Sequence, residues 1–106
     1  MEVDCLTVKS RLDAGADFVL LDCREQDEVE TVRIDGSTWI PMSEMQTRHV
    51  ELEPHRTRDI VVYCHLGGRS LQVAQWLSQQ GYSNVQSMAG GIDQWAEQID
   101  ASLSRY

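Results

Sequence analysis

Two short runs, FVLLD at 18–22 and IVVY at 60–63, constrain the fold more than any other feature of the chain. Each is continuously apolar rather than alternating, the pattern of a strand covered on both faces. Sequence with helical character lies around them. Asp4 is placed to cap a first helix with Val8 and Leu12 on one face, ended by Ala14 and Gly15. Residues 25–32 read as an acidic, solvated surface helix, 37–42 as a short strand stopped by Pro41, and 43–52 as a short helix capped by Ser43. A helix over 69–80 puts Leu71, Ala74 and Leu77 on one side, with Val73 and Trp76 extending it and Gly81 as its stop. Residues 84–88 then read as a strand and 90–100 as a last helix. Strands alternating with helices predict an α/β fold, a mostly parallel sheet with helices on both faces. In such sheets ligands bind outside the carboxyl ends of the strands. Cys64 falls at one of those ends.

Composition narrows the function classes. A chain of 106 residues suits one domain, taken as 1–106, with one core. Its formal net charge of −8 and its one lysine argue against nucleic acid or an anionic membrane as a partner. No stretch approaches the roughly 20 apolar residues of a membrane span, and MEVDCLTVKSRLD lacks the layout of a signal peptide. A cytoplasmic location is the expectation. Three cysteines, Cys5, Cys23 and Cys64, do not make a disulfide framework and fit a reducing compartment. His49, His55 and His65 do not combine with them at a zinc-ligand spacing, so neither a metal nor another cofactor is expected.

The chemistry concentrates in CHLGGRS, residues 64–70. A helix starting there leaves backbone N–H groups without intrahelical partners and carries partial positive charge. Gly67 and Gly68 are able to take positive φ, so the loop can curl its amides inward into a nest for an anion. Arg69 adds a permanent cation with several donors. A thiol in that setting has its pKa lowered, toward roughly 3.5–7.5. The competing reading is a buried cysteine acting as a small hydrophobe; the Gly-Gly-Arg-Ser that follows favours the nucleophile. Cys23 lacks such a context and reads as a core residue, and Cys5 as incidental.

These residues resemble the single-domain rhodaneses, the thiosulfate sulfurtransferase family. Four segments carry the likeness in the family's order: LLDCRE (20–25), IDGSTWIP (34–41), IVVYCHLGGRS (60–70) and AGGIDQW (89–95). The resemblance implies a three-layer α/β fold with a five-stranded, mainly parallel sheet flanked by helices. It implies that Cys64 attacks the outer sulfur of a small anionic donor and carries it as a persulfide. The amides from His65 through Leu66, Gly67, Gly68 and Arg69 to Ser70 would surround that sulfur. Arg69 would position the donor, and the Ser70 hydroxyl would donate nearby. Asp22 and Arg24 match an Asp-x-Arg motif that helps to build the pocket, either as a structural ion pair or in contact with substrate. Gly90, Gly91 and Trp95 match a mostly structural motif. Val32-Arg33-Ile34 stands where the family usually has Gly-His-Ile. Arg33 then either faces solvent or adds positive charge near the pocket.

Three functions compete. A sulfurtransferase would pass sulfane sulfur from thiosulfate or a similar donor to cyanide, a small thiol or a protein cysteine. Relatives of the fold include phosphatases and arsenate reductases, which place five residues between cysteine and arginine. Here four intervene, a smaller ring suited to one extra sulfur atom. A non-catalytic or persulfide-carrying interaction module is the third reading, and the retained cysteine weighs against a non-catalytic one.

Overall fold

A computed structural model describes residues 1–106. Its centre is a five-stranded sheet in the order β1-β5-β4-β2-β3, parallel throughout. The strands are β1 (Glu2–Val3), β2 (Phe18–Asp22), β3 (Thr38–Trp39), β4 (Asp59–Tyr63) and β5 (Asn84–Met88). The helices are α1 (Cys5–Asp13), α2 (Gln26–Thr31), α3 (Met45–Arg48), α4 (Gly68–Gln79) and α5 (Gly91–Gln98), with 3₁₀ turns on either side of α3. The mainly parallel α/β sheet expected from the sequence is present, and both continuous apolar runs are interior strands.

Side-chain alternation along β2 and β4 divides the core in two. Val19, Leu21, Cys23, Ile60, Val62 and Cys64 face one layer with Val73, Ala74 and Leu77 of α4. Leu20, Val61 and Tyr63 face the other, with Val8 of α1 and Ile92 and Trp95 of α5. Period-two alternation sends adjacent residues to opposite faces, so covering both faces requires both to be apolar.

Topology then sets the place of the site. From β2 the chain moves outward to β3, whereas from β4 it moves the other way to β5. The strand order reverses between β2 and β4, and a crevice opens at such a reversal beyond the carboxyl ends. Cys23 and Cys64 immediately follow those two ends.

Local departures have identifiable causes. Asp4 caps α1 as expected, its carboxylate accepting from the Thr7 amide at 2.8 Å. Leu12 does not share the buried face of Val8; it is 38% exposed while Val8 is fully buried. Of the short helix expected over 43–52, α3 keeps Met45–Arg48 as α-helix, with 3₁₀ turns on both sides, and the Ser43 hydroxyl bonds Glu25 at 2.6 Å rather than capping it. Strand β3 is only Thr38–Trp39. In α4, Val73 joins Ala74 and Leu77 in the core, whereas Leu71 is only partly buried.

These placements have a direct test in stability. Leu77→Ala removes a fully buried side chain and is expected to cost about 2–5 kcal/mol. Leu12→Ala is expected to stay within about 0.5 kcal/mol of the parent. Urea denaturation of the two variants measures both, and a large loss for Leu12→Ala would place that side chain in the core.

Candidate active site

Cys64 follows the last residue of β4, and its side chain is 1% exposed. The turn after it depends on Gly67, which takes φ +107° and whose backbone passes so close to Gly90 that an added Cβ would lie 3.1 Å from the Gly90 nitrogen. That turn aims the Gly67 amide at Cys64 Sγ, at 3.1 Å, and the Ser70 amide follows at 3.4 Å. Gly68 does not take positive φ, as the sequence reading allowed; it is the first residue of α4. His65 is partly buried, and Leu66 points outward with 63% of its surface exposed.

The Ser70 hydroxyl lies 3.4 Å from Cys64 Sγ, 3.2 Å from the Gly67 carbonyl it donates to, and 2.7 Å from the Ser87 hydroxyl. Ser70 and Ser87 are both fully buried. With Ser87 donating to Ser70, the single Ser70 proton has two acceptors within reach, the Gly67 carbonyl and Cys64 Sγ, and reaches the sulfur only by leaving the carbonyl. Ser87 carried no signal in the sequence beyond being a polar residue in a short strand.

Cys23 is in the core as read, but it also adjoins the nucleophile. Asp22 pairs with Tyr63 in the β2–β4 register, and the ladder continues one step through the Cys23 amide to the Tyr63 carbonyl at 3.1 Å. Cys23 and Cys64 are therefore cross-strand neighbours on the α4 face. The adjoining Cys23 thiol, together with the Ser70 hydroxyl and the Ser70 and Gly67 amides, outweighs burial and pulls the Cys64 thiol down to about 4. The neighbouring Cys64 sulfur and burial push Cys23 up. The proton belongs on Cys23 because Cys64 alone has the loop's donors.

Two ion pairs flank the sulfur. Asp22 and Arg24 are 1% and 0% exposed and form a bidentate pair at 2.7 and 3.0 Å. The remaining Arg24 contacts run to the Glu28 carbonyl, the Val32 carbonyl and the Tyr106 hydroxyl. Tyr63 donates to Asp22 at 2.9 Å. With the guanidinium donors taken inside the fold, the geometry favours the structural of the two roles left open for this pair. Arg69 does not project free into the pocket: its guanidinium forms a bidentate pair with Glu28 at 2.7 and 2.8 Å. Glu28, on the helix read as solvated surface, and Tyr106, which stacks on His65 at 4.0 Å, were both missed by the sequence reading. Neither belongs to a recognisable local motif of the loop. Arg33 is exposed, bonds the Ser37 carbonyl, and lines a separate cleft of about 250 Å³ with Lys9 and Trp95.

The start of α5 completes the site. The Ile92 and Asp93 amides donate to the Cys64 and His65 carbonyls at 2.9 and 3.1 Å. This approach requires Gly91, where a Cβ would lie 2.3 Å from the His65 oxygen and 2.6 Å from that of Cys64.

Comparison with known proteins agrees with this arrangement: the rhodanese-like domain family matches residues 6–98. The chain belongs to the rhodanese family. It is 36% identical over 95 residues to a sulfurtransferase of Allochromatium vinosum, covering 90% of this chain and 87% of that protein. It is 33% identical over 79 residues to the thiosulfate sulfurtransferase GlpE of Coxiella burnetii, covering 74% and 72%. A rhodanese-related protein from Thermoplasma volcanium has the same fold, with a TM-score of 0.81 at 31% identity over 92% of each chain. Other matching rhodanese domains lie within longer proteins: the chain spans 30% of a rhodanese-like/PpiC domain-containing protein of Arabidopsis thaliana.

The donor set around the sulfur makes a checkable claim. The rate of Cys64 alkylation against pH is expected to inflect near 4 and to be flat across neutral pH. Cys23→Ala is expected to move that inflection upward. An inflection near 8.5, the value of a free thiol, would show that the cradle does not stabilise the thiolate.

Proposed function

We propose that the protein transfers sulfane sulfur through a persulfide on Cys64, taking it from thiosulfate or a similar small anionic donor. The observation that carries this reading is the Cys64 sulfur held by the Gly67 and Ser70 amides in a loop with four residues between cysteine and arginine. The relatives named as sulfurtransferases support it.

In the first half-reaction the Cys64 thiolate attacks the outer sulfur of thiosulfate. A bond forms between the two sulfurs, the bond from the outer sulfur to the sulfonate breaks, and sulfite leaves with that electron pair. The product is a Cys64 persulfide anion. Its terminal sulfur is placed over the loop, where amides from His65 to Ser70 are the available donors, with Gly67 and Ser70 already directed at Sγ. In the second half-reaction a nucleophile attacks the terminal sulfur and Cys64 leaves as thiolate, regenerating the starting state. Cyanide gives thiocyanate; a small thiol or a protein cysteine gives a new persulfide. A thiolate that is stable at neutral pH serves both steps, as nucleophile in the first and leaving group in the second. Asp22 and Arg24 hold the β2 end in place through their bidentate pair.

Loop size argues against phosphoryl chemistry, because amides stabilise an anion only at about 2.7–3.1 Å from where its charge sits. A tetrahedral oxyanion needs a wider ring than one sulfur atom.

Turnover of thiosulfate with cyanide tests the assignment. Cys64→Ser is expected to abolish it, whereas Cys5→Ser, altering a thiol that faces the Ala89 and Gly91 carbonyls, is expected to retain most of it. Inserting one glycine between Leu66 and Gly67 is expected to remove sulfur transfer and to permit weak arsenate binding. Retained turnover in Cys64→Ser, or efficient aryl phosphate hydrolysis by the parent protein, would overturn the proposal.

A further inference from the structure

The cation expected to receive an anionic donor is already neutralised. Glu28 accepts four hydrogen bonds: two from Arg69, one from the Glu25 amide at 3.1 Å and one from the Tyr106 hydroxyl at 2.9 Å. Its side chain is 16% exposed, so it is fixed beside the guanidinium rather than swinging in solvent. The Arg69 hydrogen bonds, opposed by burial, hold its carboxyl down at about 2, so it stays ionised at every pH at which the protein would work. The other nearby cation, Arg24, is matched by Asp22. The two pairs leave the mouth of the cradle with no net positive charge, in a chain whose formal net charge is −8.

This has a consequence for the donor, resting on the sulfur-transfer reading above. A dianion such as thiosulfate approaches Arg69 only beside a fixed carboxylate, or after displacing Glu28 and breaking its four hydrogen bonds. A monoanion meets half of that repulsion. The geometry points to Glu28 as a specificity-determining residue that, through Arg69, disfavours dianionic sulfur donors and directs the site to singly charged sulfane donors, the class of alkyl persulfides and thiosulfonates. Tyr106 positions it: the ring stacks on His65, next to the nucleophile, while the hydroxyl links Glu28 to Arg24.

Thiosulfate and methanethiosulfonate isolate the charge, since both have a sulfonyl-type leaving group and differ by replacing one anionic oxygen with a methyl. With methanethiosulfonate the Cys64 thiolate takes the outer sulfur and methanesulfinate leaves, so the half-reaction balances as before. The quantity to measure is the ratio of kcat/KM for thiosulfate to that for methanethiosulfonate, with cyanide as acceptor at fixed ionic strength. Taking this as a ratio between variants cancels the intrinsic reactivity of the two donors.

Glu28→Gln preserves the acceptor for the Glu25 amide, and with it the capping box of α2, while removing the charge. It is expected to raise the ratio about tenfold, the scale of one charge acting across about 3 Å with the screening of bulk water at an open mouth. Tyr106→Phe keeps the ring and removes the tether, and is expected to raise the ratio by a smaller factor. Melting curves on the same samples confirm that folded proteins are compared. An unchanged or lowered ratio in Glu28→Gln overturns the inference; if that variant does not fold, an unchanged ratio in Tyr106→Phe does so. Turnover with both donors but no change in ratio defeats only the charge filter. No turnover with either donor in the parent protein defeats sulfur transfer as well.

Discussion

The site depends on how the carbonyls of Cys64 and His65 are held. They accept the Ile92 and Asp93 amides at the start of α5, which turns the oxygen side of this backbone away from the nucleophile. The following residues curl back through Gly67 and present their N–H side to the sulfur. Both halves of the arrangement need glycine. At Gly67 the backbone is left-handed, and at Gly91 any Cβ would strike the loop carbonyls. One helix start orients the loop and the next, at α4, supplies amides to the sulfur, so two helix N-termini act on one short turn.

Around that turn the fold places charge in matched pairs. The Asp22–Arg24 pair is sealed from solvent and satisfied by Tyr63, Val32 and Tyr106, which removes the cost of leaving a buried charge unpaired. Arg69 and Glu28 form a second pair nearer the opening. Stabilisation of the thiolate consequently falls to short-range donors, namely the Cys23 thiol, the Ser70 hydroxyl and two amides, rather than to a free cation. Hydrogen bonds of this kind act at contact distance and are little affected by the acidic surface.

Much of this was legible in the sequence. Continuous apolar runs announce strands covered on both faces, and the cysteine, glycines and arginine of CHLGGRS mark a strand end meeting a helix start. What stayed hidden involves residues brought together across the sheet. Cys23 looks like an ordinary core cysteine until the β2–β4 register sets it beside Cys64. Ser87 gains its role from the neighbouring strand, and Glu28 from a helix whose acidity resembles ordinary solvation. Tyr106 is distant in sequence from everything it touches. Arg69 reads from the sequence as a cation beside the loop, and its partner Glu28 lies 41 residues away. The short helix expected at 43–52 is α-helical only over Met45–Arg48, and the expected cap differs for a local reason: Ser43 pairs with Glu25 instead of the helix backbone.

The central claim is that a loop clamped by α5 keeps Cys64 ready to accept one sulfur atom. Intact mass spectrometry after mixing the reduced protein with a sulfane donor, followed by peptide mapping, tests it most directly. The account predicts a gain of one sulfur atom, located on Cys64 and lost again when cyanide is added. No gain in mass with either thiosulfate or methanethiosulfonate, or added sulfur located on Cys5 or Cys23 with Cys64 unmodified, would contradict it.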